Sequence, residues 1–260
     1  MDQFVESRIL RTALVRAPGV NCGQGLTKAG RGAPDPDLLF RQHENYVAAL
    51  TGLGLEIIRL PAEKAFPDAY FVEDTAVITP YEAVITRPGA PSRRGEEDSI
   101  AAVLGRRLPL DRIVAPGTLD GGDVLEAGGF WFIGLSERTN EDGARQLGRV
   151  LESHGLPWSP VRVGAGLHLK SGVNDLGHGA IIVTRILASD AAFRPFRRII
   201  LDPDEAEAAN VLSINGRLLL PAGFPSVRRR LEALGRPVLE LDVSEVRKMD
   251  GGLTCMSIRF

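Results

Sequence analysis

Gly121–Leu135 reads GGDVLEAGGFWFIGL, and it is followed by NEDGARQLGRVLESHG (Asn140–Gly155) and PWSPVRV (Pro157–Val163). The first segment is β-rich on both sides of Gly128-Gly129, a pair suited to a tight turn, and predicts a β-hairpin. The second predicts a helix and the third a strand. Hairpin, helix, strand is therefore one unit, and its recurrence decides the fold.

Working outward, the same phrase returns. EDTAVITPYEAVITRPG (Glu73–Gly89) turns at Pro80-Tyr81-Glu82 and leads to a helix in EEDSIAAVLGRR (Glu96–Arg107) and a strand in RIVAP (Arg112–Pro116). VNDLGHGAIIVTRI (Val173–Ile186) is a hairpin, followed by a helix in ASDAAFRPFRR (Ala188–Arg198) and a strand in IILDP (Ile199–Pro203). NVLSINGRLLLPAG (Asn210–Gly223) carries Asn215-Gly216, the strongest short hairpin signal in the chain. FPSVRRRLEALG and PVLELD supply its helix and strand. GGLTCMSIRF (Gly251–Phe260) begins a fifth hairpin, with Cys255 in its first strand, and then the sequence stops.

The sequence begins with the complement of that fragment: an orphan strand RTALVRA, a helix in PDLLFRQHENYVAALTGLG and a strand LEIIRLP. Leu38, Leu39, Tyr46, Val47 and Leu50 share one side of the helix, and Gly52 and Gly54 signal its end. Asp74, Asp123, Asn174, Asn210 and Cys255 mark equivalent places, at intervals of roughly 35 to 50 residues, the range of propellers and solenoids. Joining the N- and C-terminal strands completes the fifth copy and leaves no open end. The expectation is an α/β fold in which residues 1–260 form one catalytic domain, a closed ring of five repeats with the polar hairpin-start residues around one axis.

Composition narrows the function. The 260 residues are 44% hydrophobic, enough for a sizeable core, and 31 basic side chains against 33 acidic ones leave a net charge of -2. Nothing there attracts nucleic acid or an anionic membrane. The start, with Asp2 and Glu6, lacks a secretory pattern, and no apolar run suits a membrane span, so a cytoplasmic location is expected. The two cysteines, Cys22 and Cys255, make a structural disulfide a poor expectation without a secretory signal. Cys22 lies in the Gly- and Pro-rich stretch Ala17–Asp37, a candidate lid, and reads as an exposed thiol.

Cys255 stands where other copies carry Asp or Asn, which suggests a reactive thiol rather than packing. Of the four histidines, His43 reads as an exposed helix residue, His154 lies near a helix end and His178 in a turn. His168 alone stands at a hairpin entry, where it could protonate a leaving amine and then activate water. Asp68, Glu73, Asp74, Asp120 and Asp123 crowd the strand starts, and several buried acids call for a cation. Without a metal-ligand motif, an organic cation is the better expectation. Arg93, Arg94 and Arg138 follow hairpins at equivalent places and suit a carboxylate.

FVEDTAVI, ITRPGAPSRRGE, LDGGDVL, GLSERTN, GLHLKS and DGGLTC, in that order, closely resemble the dimethylarginine dimethylaminohydrolases, a family of guanidino-group-modifying enzymes. The resemblance implies the pentein fold, a five-bladed α/β propeller, and hydrolysis of Nω,Nω-dimethylarginine or the monomethyl form to citrulline, with no metal or organic cofactor. It implies that Cys255 is the nucleophile, His168 the general acid/base and Asp120 its orienting carboxylate. It places Glu73 and Asp74 against the guanidinium, Asp68 near the α-amino group and Arg93 and Arg138 on the α-carboxylate. The backbone at Leu26 and Met249 completes the pocket. Asp120 stands where some bacterial members carry Glu, which shortens its reach. A small molecule is the expected partner, and the protein a monomer or homodimer. A related deiminase or amidinotransferase acting on unmethylated arginine or another guanidine, and a non-catalytic propeller that binds a partner, are the competing readings.

Overall fold

The computed structural model describes residues 8–164 and 168–260. Asp2 and Glu6, and the Gly166 and Leu167 that open the GLHLKS motif, lie outside the described residues.

Among the described residues, fifteen strands form five three-stranded sheets. In chain order the elements are β1 (Thr12–Arg16), α1 (Pro36–Gly52), β2 (Glu56–Leu60), β3 (Ala76–Ile78), β4 (Ala83–Ile85), α2 (Glu96–Leu104) and β5 (Leu110–Arg112). They continue with β6 (Val124–Ala127), β7 (Phe130–Leu135), α3 (Glu141–Ser153), β8 (Trp158–Arg162), β9 (Val173–Gly177), β10 (Ala180–Thr184) and β11 (Arg197–Leu201). The last are β12 (Leu212–Ile214), β13 (Arg217–Pro221), α4 (Pro225–Glu232), β14 (Val238–Leu241), α5 (Ser244–Lys248) and β15 (Ile258–Arg259).

Blade 1 is β3-β4-β5, blade 2 β6-β7-β8, blade 3 β9-β10-β11, blade 4 β12-β13-β14 and blade 5 β15-β1-β2. In each, the hairpin is antiparallel and the strand after the crossover returns parallel to its middle strand. Blade 5 joins the two ends of the chain: Leu14 of β1 faces Ile258 of β15 on one side and Ile58 of β2 on the other. The ring is closed as the repeat required.

The core is distributed among the blade interfaces. Leu125, Phe132 and Val161 of blade 2 meet Val173, Ile181 and Phe193 of blade 3. Leu176 and Ile182 of blade 3 meet Leu218 and Leu231 of blade 4. Ile214 and Leu219 of blade 4 meet Ala13, Val15 and Tyr46 of blade 5. Leu14 and Ile258 of blade 5 meet Ile85 and Ile100 of blade 1, and Val77 and Val84 of blade 1 meet Val124 and Ile133 of blade 2. Each buried large aliphatic contributes roughly 1.5–3 kcal/mol. Closure therefore adds one whole interface that an open array would leave wet.

The helices follow local signals. Asp35 caps α1, accepting from the N–H groups of Asp37 at 2.9 Å and Leu38 at 3.1 Å, with Pro36 at the first position. The cap is worth about 1 kcal/mol. The expected helix in Ala188–Arg198 is absent: that stretch makes two short 3-10 turns, Leu187–Ser189 and Ala191–Phe193. Asp190 caps a fresh turn through Ala192 N–H at 2.8 Å, and Pro195 cannot continue a helical ladder. The strand expected at Arg112–Pro116 ends at Arg112 instead, with Ile113 N–H still donating to Ile85.

Two side chains expected at the surface are inside. His43 packs within the core side of α1 and Cys22 has no exposed surface. Cys22 sits in a 3-10 turn, Cys22–Gln24, against Leu39, Tyr46 and Tyr70. Burial pushes its thiol up, as fits packing rather than reactivity. His43 is pushed down to about 4 by burial, so it is neutral in the fold. None of the helices among the described residues is long and apolar enough to cross a membrane.

Candidate active site

The first strands of the blades are each preceded by a short turn, and these turns meet at one end of the ring axis. Each passes a link to the next. Asp74 Oδ1 accepts from Gly122 N–H at 3.0 Å, Asp123 Oδ1 from Leu169 N–H at 2.9 Å, and Asn174 Nδ2 donates to Ala209 C=O at 2.8 Å. Asn210 Oδ1 accepts from Thr254 N–H at 2.9 Å. The fifth link differs: the carbonyl of Cys255 accepts from Glu73 N–H at 3.1 Å. In four blades a side chain makes the link. In blade 5 the backbone makes it, and the thiol is left for other work.

Cys255 lies in a turn, not in the strand expected of it, because pairing of β15 begins only at Ile258. Its thiol is half-buried and has Thr254 Oγ1 at 3.9 Å. Burial, with Glu73 and Asp74 nearby, pushes the thiol up to about 12, so it rests protonated.

His168 is buried and its Nε2 lies 3.0 Å from Asp120 Oδ2 and 3.9 Å from Asp74 Oδ1. Burial alone lowers its pKa, but Asp74, the Asp120 hydrogen bond and Asp123 outweigh burial and raise it to about 9. Asp120 is opposed by burial as well, yet the His168 hydrogen bond and charge hold it below the usual carboxylate range. Gly89 N–H donates to its Oδ1 at 2.8 Å and fixes its plane. Gly122 is required here: a Cβ would stand 2.7 Å from His168 Nδ1 and 2.8 Å from Asp74 Oδ1. The second glycine of LDGGD is thus a seat for the imidazole, while a Cβ on the first would stand 2.1 Å from the Glu73 carbonyl oxygen.

The acids do find cations, and the chain supplies several of them. Arg93 Nη1 donates to Asp74 Oδ2 at 2.6 Å, and its Nε and Nη2 grip the buried carboxylate of Glu96. Its Nη2 also reaches the Phe71 carbonyl at 3.1 Å. Most of the Arg93 fork is therefore engaged within the protein. Glu96 was not among the expected site residues; burial pushes it up to about 7 despite Arg93. Glu73 Oε1 takes Lys170 Nζ at 2.7 Å and Arg259 Nη2 at 3.0 Å, two further residues that sequence reasoning did not single out. Its Oε2 is buried with no partner.

Arg138 contrasts with Arg93: its Nη1 is buried without a hydrogen-bond partner. Asp68 accepts from Leu26 N–H at 3.2 and 3.0 Å, and burial raises it although Leu26, Arg93 and Arg138 act to lower it. Thr27 next to Leu26 donates to the Lys248 carbonyl at 2.8 Å and to Asp250 at 3.1 Å. The Ala17–Asp37 stretch is thus tied across the site to the segment bearing Met249, which is itself buried.

Asp74, Asp120 and His168 form the one metal-capable cluster among the described residues, with their ligand atoms within 4.8 Å of one another. Asp74 is already neutralised by Arg93, and Asp120 and His168 face each other. A cavity of about 1070 Å³ lies elsewhere, along the inner strands beyond Glu73, Lys170 and Arg259, which line its near end.

A thiol, an imidazole–carboxylate pair and an unpartnered buried carboxylate oxygen at one end of a five-bladed ring set the chemistry of cleaving a cationic C–N bond. A curated Pseudomonas aeruginosa protein, N(G),N(G)-dimethylarginine dimethylaminohydrolase, is 42% identical over 249 residues, covering 95% of this chain and 98% of that protein. The chain belongs to the dimethylarginine dimethylaminohydrolase family. A Streptomyces coelicolor member is 37% identical over 251 residues, 96% of each chain. A solved structure of the P. aeruginosa enzyme, a cysteine-to-serine mutant with citrulline bound, superposes with a TM-score of 0.95 at 41% identity, covering 97% of this chain and 100% of that one. No protein-family model matches the chain. This dimethylarginine dimethylaminohydrolase family member therefore shares both its ring and its length with curated relatives.

Proposed function

We propose that this enzyme hydrolyses Nω,Nω-dimethyl-L-arginine and Nω-monomethyl-L-arginine to L-citrulline, releasing dimethylamine or methylamine. The observation that carries the reading is the buried Oε2 of Glu73, which has no partner and belongs to the residue held by the Cys255 carbonyl. An unpaired buried carboxylate oxygen is costly, and a guanidinium N–H would satisfy it.

The mechanism follows from the resting charges. His168 carries a proton and Cys255 is a thiol. A bound guanidinium offsets the negative charges that hold the thiol proton, so substrate binding releases that proton to solvent and leaves Cys255 as the thiolate. The sulfur attacks the guanidinium carbon and forms a C–S bond, with the nitrogen lone pairs taking up the displaced electrons. The His168 imidazolium donates its proton to the methylated nitrogen, the C–N bond breaks, and a covalent thiouronium remains on Cys255. Neutral His168 then takes a proton from water and the hydroxide adds to the carbon; as the C–S bond breaks, its electron pair returns to sulfur, which takes up the hydroxyl proton, and citrulline is released. Asp120 holds the imidazole through both halves. Glu73 and Asp74 hold the guanidinium, Asp68 the α-amino group, and Arg138 with the remaining donor of Arg93 the α-carboxylate. Leu26 and Met249 close the pocket through their backbones. Two free thiols suit a cytoplasmic setting.

The test is citrulline release from the dimethylated, monomethylated and unmethylated substrates, with Cys255→Ser beside the parent. Turnover of the methylated substrates that vanishes in the variant is the expected result. Turnover of arginine alone would make the protein a deiminase, and activity retained in Cys255→Ser would remove the mechanism.

A further inference from the structure

Glu73 and the nucleophile turn are joined by more than the link between their backbones. Arg259 Nη2 donates to Glu73 Oε1 at 3.0 Å, while its Nη1 donates to the carbonyls of Thr254 at 3.0 Å and Ser257 at 2.7 Å and to Ser257 Oγ at 2.8 Å. Ser257 Oγ in turn lies 2.5 Å from the hydroxyl of Tyr46, a fully buried residue of α1. The backbone of Arg259 in β15 is fixed by pairing with Ala13 of β1. One planar fork thus touches the residue before the nucleophile, the residue two after it, and the carboxylate proposed above to hold the guanidinium. Lys170 also reaches Glu73 Oε1, but its ammonium is a point charge with no bond to the Cys255 turn. Both cations take the same oxygen, which is why Oε2 is left open.

We propose that Arg259 is a positioning residue for C–N cleavage, holding the Cys255 turn and the Glu73 carboxylate in one register so that a bound cation presents its carbon to the thiol. The proposal rests on the guanidine-hydrolase reading of the site. Without the fork, Glu73 keeps Lys170 and the substrate keeps its carboxylate contacts, but the turn and the carboxylate are then tied only through the Glu73 N–H to Cys255 carbonyl link. A displacement of about 1 Å between nucleophile and carbon costs on the order of 100-fold in rate.

Two alkylating agents of equal size separate this from a merely structural ion pair. Chloroacetamidine is cationic and chloroacetamide neutral; both transfer a carbon to Cys255 sulfur and release chloride. Rates are measured by mass spectrometry on the parent, Arg259→Met and Arg259→Lys, beside kcat and KM for dimethylarginine and the thermal midpoint. In the parent the amidine reacts faster than the amide. In Arg259→Met that preference falls about tenfold, because the charge that guides the amidine is no longer aligned with the thiol, and kcat falls about 100-fold. Arg259→Lys, which keeps the charge and the fold but cannot bridge turn and carboxylate, retains KM within about threefold and loses about tenfold in kcat. The proposal is overturned by a parent with no amidine preference, by a variant whose two alkylation rates change by the same factor, or by parental kcat in either folded variant. The alkylation pair needs no turnover. A parent that releases no citrulline yet shows the Arg259-dependent preference would sink the substrate reading and leave the clamp standing.

Discussion

Asn210 and Cys255 hold corresponding places in neighbouring blades, and their side chains do opposite things. Asn210 is consumed by the architecture: its Oδ1 takes Thr254 N–H and its Nδ2 reaches Thr254 Oγ1 at 3.2 Å. Even the approach of the next turn is fitted to it, since a Cβ on Gly252 would stand 2.4 Å from its amide. Cys255 makes its inter-blade link through its own carbonyl, so its side chain carries no structural duty. The difference teaches how a symmetric ring acquires an asymmetric function. One copy passes the structural task to the backbone, and the side chain so released can react.

The sharpest way to break the comparison is to exchange the roles. Cys255→Ser is expected to lose about 10,000-fold or more in kcat, measured as citrulline release, with an unchanged thermal midpoint because the link is backbone. A fall of several degrees would mean that the thiol is structural after all. Arg93 and Arg138 extend the test to the cations. Arg93→Met strands Asp74 and Glu96 in the interior and should cost about 3–5 kcal/mol in urea unfolding. Arg138→Met removes a donor that has no protein partner, so stability should hold while KM rises about 10- to 100-fold.

Asn210→Ala leaves Thr254 N–H unsatisfied and should cost about 1–3 kcal/mol, with a smaller loss of kcat as the nucleophile turn loosens. A loss of activity with no loss of stability would erase the distinction between the two residues. The smallest effect is in pH. In the proposed mechanism His168, raised from 6.5 to about 9, is protonated to expel the amine, so kcat/KM should fall as pH rises through about 9. Asp120→Asn weakens that raise and should move the falling limb to lower pH. By linkage, the stability contributed by the charged His168 is complete below pH 6.5 and is lost as pH rises through about 9, which thermal unfolding across that window would register.

Much of this was open to reading along the chain. Gly128-Gly129 and Asn215-Gly216 mark turns whatever surrounds them, because they adopt positive φ. The thiol was visible as an odd residue among Asp and Asn, and His168 as the one histidine at a hairpin entry. Glu96, Lys170 and Arg259 went unread, although Lys170 stands inside GLHLKS and Glu96 inside the segment chosen for its arginines. Lys170 and Arg259 meet Glu73 from 97 and 186 residues away, distances over which no local pattern speaks. His43 and Cys22 read as surface residues from the pattern of a helix face and the composition of a loop, and neither signal records that both side chains are buried in the fold.

The sequence by itself determined the five-part ring and its closure through β1 and β15, and it pointed to Cys255 and His168 as the groups proposed to react. These depend on residue type, short-range periodicity and the order of motifs. Only the tertiary structure decided which arginine is committed to the scaffold and which keeps a free donor, which oxygen of Glu73 stays open, and how the Cys255 and His168 ionisations are set. Those depend on burial and on charges brought within a few ångströms from opposite ends of the chain. Electrostatic energy follows distance in space and the local dielectric, neither of which distance along the sequence records.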